Sequence, residues 1–123
     1  MAASDERPGA TLSKMTLDSL IARDGASCVW CGRELWRSDL TAEHLLPRSR
    51  HGRRLPENLA VACRRCNKRR RTKPVAAYVR AQMDQGQSPR LDLLANALGR
   101  LSGSASRQHA EYARAQLELL ARL

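Results

Sequence analysis

Phenylalanine is absent from this chain of 123 residues, and aromatic side chains amount to 3% of it. Any core must therefore be built from Leu, Val, Ala and Met. The length suits one domain with a short appendage and excludes a large multi-domain enzyme. A chain of this size buries about two-thirds of the surface its unfolded form exposes, so a cross-link would help to hold it. No run of about 18 apolar residues is present. The stretch MAASDERPGA is polar and has no apolar segment of the kind a secretory signal needs. A cytoplasmic chain without a membrane partner is the expectation. In that compartment the four cysteines read as metal ligands or redox groups rather than disulfides.

Acidic residues are scarce where basic ones are dense. The formal charge is +10, and residues 44–80 hold 12 Lys or Arg against a single acid, Glu57. The rest of the chain is close to neutral. A local excess of this kind suits one phosphate-binding face better than a uniformly charged surface. It lacks the interleaved Trp, Phe or Leu of a membrane-surface helix.

The sequence divides into a polar, disordered lead over 1–10, a motif-bearing region over 11–73 and a helical appendage over 74–123. A helix from Leu12 through Met15, Leu17, Leu20 and Ile21 should stop at Asp24-Gly25. Strands are expected around 40–45 and 58–62, antiparallel, separated by a loop that Pro47, Gly52 and Pro56 keep irregular. A basic helix should run from Arg64 to Thr72, ahead of Pro74. Three further helices are expected near 74–85, 89–100 and 106–123, with Ser88 as an N-cap before Pro89. Two apolar stripes mark the last two of these, Leu91, Leu94, Leu98 and Leu101 on one, Tyr112, Ala113, Leu117, Leu120 and Leu123 on the other. These helices carry no chemical motif and serve either to pack on the core or to meet a protein partner.

Two C-x-x-C pairs, Cys28-Val-Trp-Cys31 and Cys63-Arg-Arg-Cys66, can complete a four-sulfur shell around a structural Zn²⁺. The separation between the pairs exceeds the roughly 15–20 residues of a plain zinc ribbon, so something substantial is inserted. A thioredoxin-like redox motif competes, but no βαβ pattern is present to carry it. Trp30 and Trp36 read as packing residues, His51 as a loop residue facing solvent or phosphate, and His109 as structural.

Inside the zinc loop come Glu43-His44, then Asn58, then Asn67 directly after Cys66. In this order, and with the wording C-x-x-CG, EH-x-x-PRS, ENLAVAC and CRRCNKRR, residues 20–73 closely resemble the HNH (ββα-metal) endonucleases. The resemblance implies an α+β fold: a small hairpin-and-helix core stapled by the four-cysteine zinc site, between an N-terminal helix and the helical appendage. It implies hydrolysis of phosphodiester bonds in DNA, leaving 5′-phosphate and 3′-hydroxyl ends. His44 would be the general base, as suits an imidazole titrating near neutrality, and Asn58 would orient it through a hydrogen bond. Glu43 and Asn67 would be the two protein ligands of a catalytic divalent ion, Mg²⁺ or alternatively Mn²⁺. Asp or His is commoner in the family where this chain has Glu43, and His where it has Asn67. Arg71 stands where some members have a further His, and it cannot ligate a metal.

Arg48, Arg50, Arg53, Arg54, Arg64, Arg65, Lys68, Arg69 and Arg70 would hold DNA through its phosphates. The rival reading is a non-catalytic zinc-binding, nucleic-acid-binding module, which would not need Glu43, His44, Asn58 and Asn67. A third is a protein-interaction module acting through the C-terminal helices.

Overall fold

The computed structural model describes residues 15–123. The lead over 1–10 and the expected helix start at Leu12 lie outside the described residues. Helix α1 (Leu17–Asp24) begins where the Thr16 hydroxyl accepts a hydrogen bond from the Ser19 amide at 3.1 Å, one of the donors a helix start leaves free. It stops at Gly25, as the Asp24-Gly25 pair predicts, and its buried Leu20 faces the sheet.

Strands β1 (Leu40–His44) and β2 (Leu59–Cys63) pair antiparallel, with Leu40 opposite Cys63 and His44 opposite Leu59. The connection 45–58 is irregular, as expected, and contains short 3-10 turns at Arg48–Arg50 and Pro56–Asn58. It folds back sharply at Gly52, where a Cβ would come within 1.7 Å of the Leu46 carbonyl oxygen. Only glycine tolerates that approach. Strand β2 is buried along its length, with α1 and α2 (Arg64–Arg70) both packed on it. Helix α2 stops two residues before Thr72, because Arg71 leaves the right-handed region at φ 54°.

Helices α3 (Val75–Asp84), α4 (Leu91–Ser102) and α5 (Arg107–Ala121) follow. Ser88 does not cap α4, which begins later, at Leu91. Arg90 stands at its cap and holds Asp92 of the first turn through two bonds of 2.7 and 2.8 Å, an acid placed where the helix dipole favours one. Leu94, Leu98 and Leu101 are buried as the stripe predicts, whereas Leu91 and Leu123 are exposed. Helices α4 and α5 pack as a hairpin, α3 lies against α5, and α4 lies on the Pro56–Asn58 turn.

One buried cluster runs from Leu20 and Trp30 through β2 to Leu94, Leu98, Ala113 and Leu120. The faces whose purpose the sequence left open therefore pack on the core. Leu, Val and Ala dominate it, but methionine contributes little: Met83 is exposed and Met15 only flanks the cluster. Trp30 fills the centre, its ring edge-to-face with Tyr78 at 5.2 Å between centroids. Trp36 departs from expectation, since 82% of its surface is exposed. Among the described residues no helix is long and apolar enough to cross a membrane.

Candidate metal centres and active-site cleft

The first knuckle is hooked to the sheet by the Val29 amide, which donates to the Val61 carbonyl at 2.8 Å. That bond brings Cys28 and Cys31 beside Cys63, at the end of β2, and Cys66, in the first turn of α2. Amides of Trp30 and Cys31 point at Cys28 Sγ at 3.3 and 3.5 Å, and the Cys66 amide points at Cys63 Sγ at 3.3 Å. Such donors stabilise thiolates. No cysteine is in a disulfide. The four sulfurs all lie within 4.8 Å of one another, and a tetrahedron with Zn–S bonds of about 2.3 Å needs about 3.8 Å between sulfurs. The donor set fits zinc. A hydrogen bond from the Cys66 thiol holds Cys28 down at about 5 and pushes Cys66 up.

At the far end of the hairpin, Glu43 and His44 close β1. Glu43 is buried, with 6% of its surface exposed. Its Oε2 accepts from the Trp30 indole nitrogen at 3.1 Å and lies 3.6 Å from the Arg70 guanidinium, and its Oε1 accepts from the His44 amide at 3.1 Å. Burial raises the Glu43 pKa, while Arg70 and then Trp30 pull it down. The half-buried His44 has a lowered pKa, through burial and then the charges of Arg48, Arg54 and Arg70, so its imidazole is neutral at pH 7.

Asn67 reaches the same carboxylate from α2. One polar atom of its amide lies 3.3 Å from Glu43 Oε2 and 3.1 Å from Oε1. As nitrogen it donates to the carboxylate. As oxygen it brings three acceptors together with no donor between them, an arrangement that suits a cation: neighbouring oxygens around octahedral Mg²⁺ lie about 2.9 Å apart.

Two assigned residues stand elsewhere than expected. Asn58 makes no hydrogen bond to the His44 imidazole. Its Oδ1 accepts from the Leu46 amide at 2.9 Å, and its Nδ2 donates to the carbonyls of Leu46 and Arg53 at 3.2 and 2.9 Å. Both amide hydrogens are thus used to clamp the connection that follows His44. Arg70 is no phosphate contact, for its side chain is completely buried. It donates to the carbonyls of His44, Leu45 and Lys73 at 2.6, 2.5 and 2.5 Å and lies 4.9 Å above the Trp30 ring.

The remaining basic residues divide by place. Arg48, Arg54 and Lys68 join Glu43, His44, Asn67 and Arg71 around an open cleft of about 900 Å³. Arg65 and Arg69 flank the cysteine knuckles. Arg64 and Arg50 are exposed, each donating through Nε to one carbonyl, of Ser38 and Thr72. The Arg53 side chain is exposed, while its amide donates at 3.0 Å to Nε2 of the buried His109. His109 is structural, as expected, and His51 is exposed in the loop.

Sequence reasoning missed the polar use of Trp30, the burial of Arg70 and the reach of α5. Tyr112 of α5 donates to the Leu45 carbonyl at 3.0 Å and accepts from the Val75 amide at 3.0 Å. No spacing or motif signals these contacts, which depend on tertiary packing.

No curated protein matches the chain. Among solved structures it resembles part of the Type II-C Cas9 enzyme from Actinomyces naeslundii, with 27% identity and a TM-score of 0.49, over 89% of this chain and 11% of that one. The chain thus spans a small fraction of that enzyme's length. A family model described as HNH endonuclease matches residues 28–82, a segment that opens at Cys28 and runs through the hairpin and α2 into α3. It is these residues, 28–82, that match the HNH endonuclease family.

Proposed function

We propose that this chain is a metal-dependent endonuclease that hydrolyses phosphodiester bonds in DNA, with a structural zinc held by Cys28, Cys31, Cys63 and Cys66. The observation that carries this reading is the convergence of Glu43, His44 and Asn67 on one cleft rimmed by Arg48, Arg54 and Lys68. The neutral His44 imidazole takes a proton from the attacking water as the new P–O bond forms. The bond to the 3′ oxygen breaks, and that oxygen takes a proton from solvent, leaving 5′-phosphate and 3′-hydroxyl ends. Glu43 and Asn67 would hold the divalent ion, Mg²⁺ or Mn²⁺, which when bound supplies stabilisation of charge on the phosphate and the leaving oxygen.

Asn58 acts through the chain rather than on substrate, since its clamp on Leu46 and Arg53 fixes the backbone beyond His44. Trp30 and Arg70 hold the Glu43 carboxylate from behind, as the outer partners of metal ligands do. The exposed Arg50, Arg53, Arg64, Arg65 and Arg69 extend the phosphate-binding surface beyond the cleft.

One observation favours the non-catalytic, nucleic-acid-binding reading. With its nitrogen turned inward, Asn67 satisfies Glu43 without any ion. Plasmid cleavage decides between the two. With Mg²⁺ or Mn²⁺ the wild type is expected to cleave, EDTA to stop it, and His44→Ala to lose at least about a hundredfold, because a general base contributes about 10²–10⁴ in rate. DNA binding without cleavage under any divalent ion would establish the alternative.

A further inference from the structure

Arg71 holds a backbone conformation that nothing in its own packing repays. It ends α2 at φ 54° and ψ −119°, a region closed to most residues with a Cβ and open to glycine. Its side chain is exposed, and among the described residues its guanidinium makes no hydrogen bond or ion pair. Among the described residues Arg48 and Arg69 are likewise without a side-chain partner, but three other arginines nearby are not. Arg50, Arg54 and Arg70 all donate to backbone carbonyls and so have structural uses. For the fold alone, glycine would serve better at position 71.

The position also has a direction. The Arg71 amide donates to the Asn67 carbonyl at 3.2 Å, one helical turn back, and Arg71 lines the cleft with Glu43, His44 and Asn67. Glu43, the one acid among these residues, is already matched by the buried Arg70. Among the described residues no acid pairs with Arg71, so its charge faces an anion entering the cleft. Strained residues that persist without structural gain concentrate at functional sites.

We propose that Arg71 is a catalytic residue whose guanidinium binds non-bridging oxygens of the scissile phosphate. This rests on the phosphodiesterase reading above and deepens it. A planar guanidinium can hold two phosphate oxygens at once. There it offsets the negative charge that builds as water adds to phosphorus, leaving Arg48, Arg54 and Lys68 to the flanking phosphates.

The test compares Arg71→Ala, Arg71→Gly and Arg71→Lys in the full zinc-loaded chain at saturating Mn²⁺. Alanine keeps the strain and removes the cation, glycine removes both, and lysine keeps the charge without the fork. Plasmid DNA and bis(p-nitrophenyl) phosphate, which has one diester and no flanking phosphate, serve as substrates. Arg71→Gly should melt no lower than wild type and above Arg71→Ala. Both should lose about a hundredfold in kcat on both substrates, as expected for removal of a donor to transition-state charge. Arg71→Lys should recover part of the rate, and millimolar guanidinium should partly rescue Arg71→Ala. Rates within about threefold of wild type on the small diester would overturn the proposal, and so would a loss confined to plasmid, which would place Arg71 on a flanking phosphate. A wild type that cleaves neither substrate would instead overturn the phosphodiesterase reading on which the proposal stands.

Discussion

Arg70 lies behind Glu43, its Nη1 3.6 Å from Oε2, and the two side chains are 0% and 8% exposed. The same guanidinium holds the carbonyls of His44 and Leu45. The Glu43 carboxylate and the backbone carrying His44 therefore hang on one planar group with five donors. Buried ion pairs contribute little net stability, because desolvation offsets their attraction. What this pair fixes is geometry, and lysine, with a compact ammonium, could not reach the same set of acceptors.

Replacing Arg70 by Met should accordingly cost about 3–5 kcal/mol, because Glu43 is left buried without its countercharge. The double variant Glu43→Gln with Arg70→Met should lose less than Arg70→Met alone, since the stranded charge is gone. Urea denaturation of the three proteins measures this. Equal midpoints for wild type and Arg70→Met would mean that the pair does not hold the site.

Purified protein should carry about one zinc per chain, and Cys63→Ser should lose both the zinc and much of the fold. Structural zinc contributes apparent binding energies of about 10–16 kcal/mol in small domains, and Cys63 both ends β2 and caps α2. Metal analysis of reduced, folded protein checks the stoichiometry, and circular dichroism of the variant checks the fold. A zinc-free, folded wild type would contradict the assignment.

The hairpin, the cysteine knuckles and the number of C-terminal helices were legible because each is written locally. Cys-x-x-Cys spacing, Asp24-Gly25, the proline-rich connection and the leucine stripes all act over a few residues. Arg70 was not legible. It sits in Cys-Arg-Arg-Cys-Asn-Lys-Arg-Arg, where composition makes every arginine alike, and the turn of α2 against Trp30 alone selects the one that is buried. Asn58 was misread for a related reason. The family resemblance implied a partner for His44, whereas the Asn58 hydrogen bonds go to backbone groups that no motif displays. Trp36 shows the reverse error: scarcity of aromatics argued for burial, yet the loop after the first knuckle leaves it in solvent.

Asn58→Ala should destabilise the chain by about 1–3 kcal/mol, since the buried Leu46 amide loses its acceptor. Cleavage should fall with it even at temperatures where the variant stays folded, because the connection beyond His44 is no longer clamped. Asn58→Asp keeps the acceptor and removes two donors, and should fall between. Thermal melts alongside cleavage rates separate the two effects. Full activity in folded Asn58→Ala would show that the clamp is not needed.

DNA binding should weaken with salt, since each phosphate contact releases counterions. Replacing Arg48 and Lys68 of the cleft by Ala should lower the slope of log K against log salt by about two units. Replacing Arg65 and Arg69, which flank the knuckles, tests whether DNA extends to the zinc end. An unchanged slope in the cleft pair, with a reduced slope in the knuckle pair, would move the DNA to the other face.

His109 makes stability depend on mild acid. Its Nε2 accepts from the Arg53 amide at 3.0 Å, and its Nδ1 lies 2.7 Å from the Ser106 hydroxyl. The ring is therefore neutral with its proton on Nδ1, and protonating Nε2 would set two donors against each other. Burial and then the Arg53 charge lower its pKa below the ordinary 6.5. The folded chain thus binds this proton less readily than the unfolded chain. The resulting stability is fully present above about 6.5 and is lost as the pH falls toward the lowered folded value. His44 shifts in the same direction, so wild type alone would not isolate the residue. His109→Gln retains an oxygen acceptor for the Arg53 amide and does not titrate. The difference in urea stability between wild type and His109→Gln should be constant above about pH 7 and should shift against wild type as the pH is lowered through 6. A difference that stays constant from pH 5 to 8 would show that the His109–Arg53 bond survives protonation, and that this end of α5 does not hold the connection through a neutral imidazole.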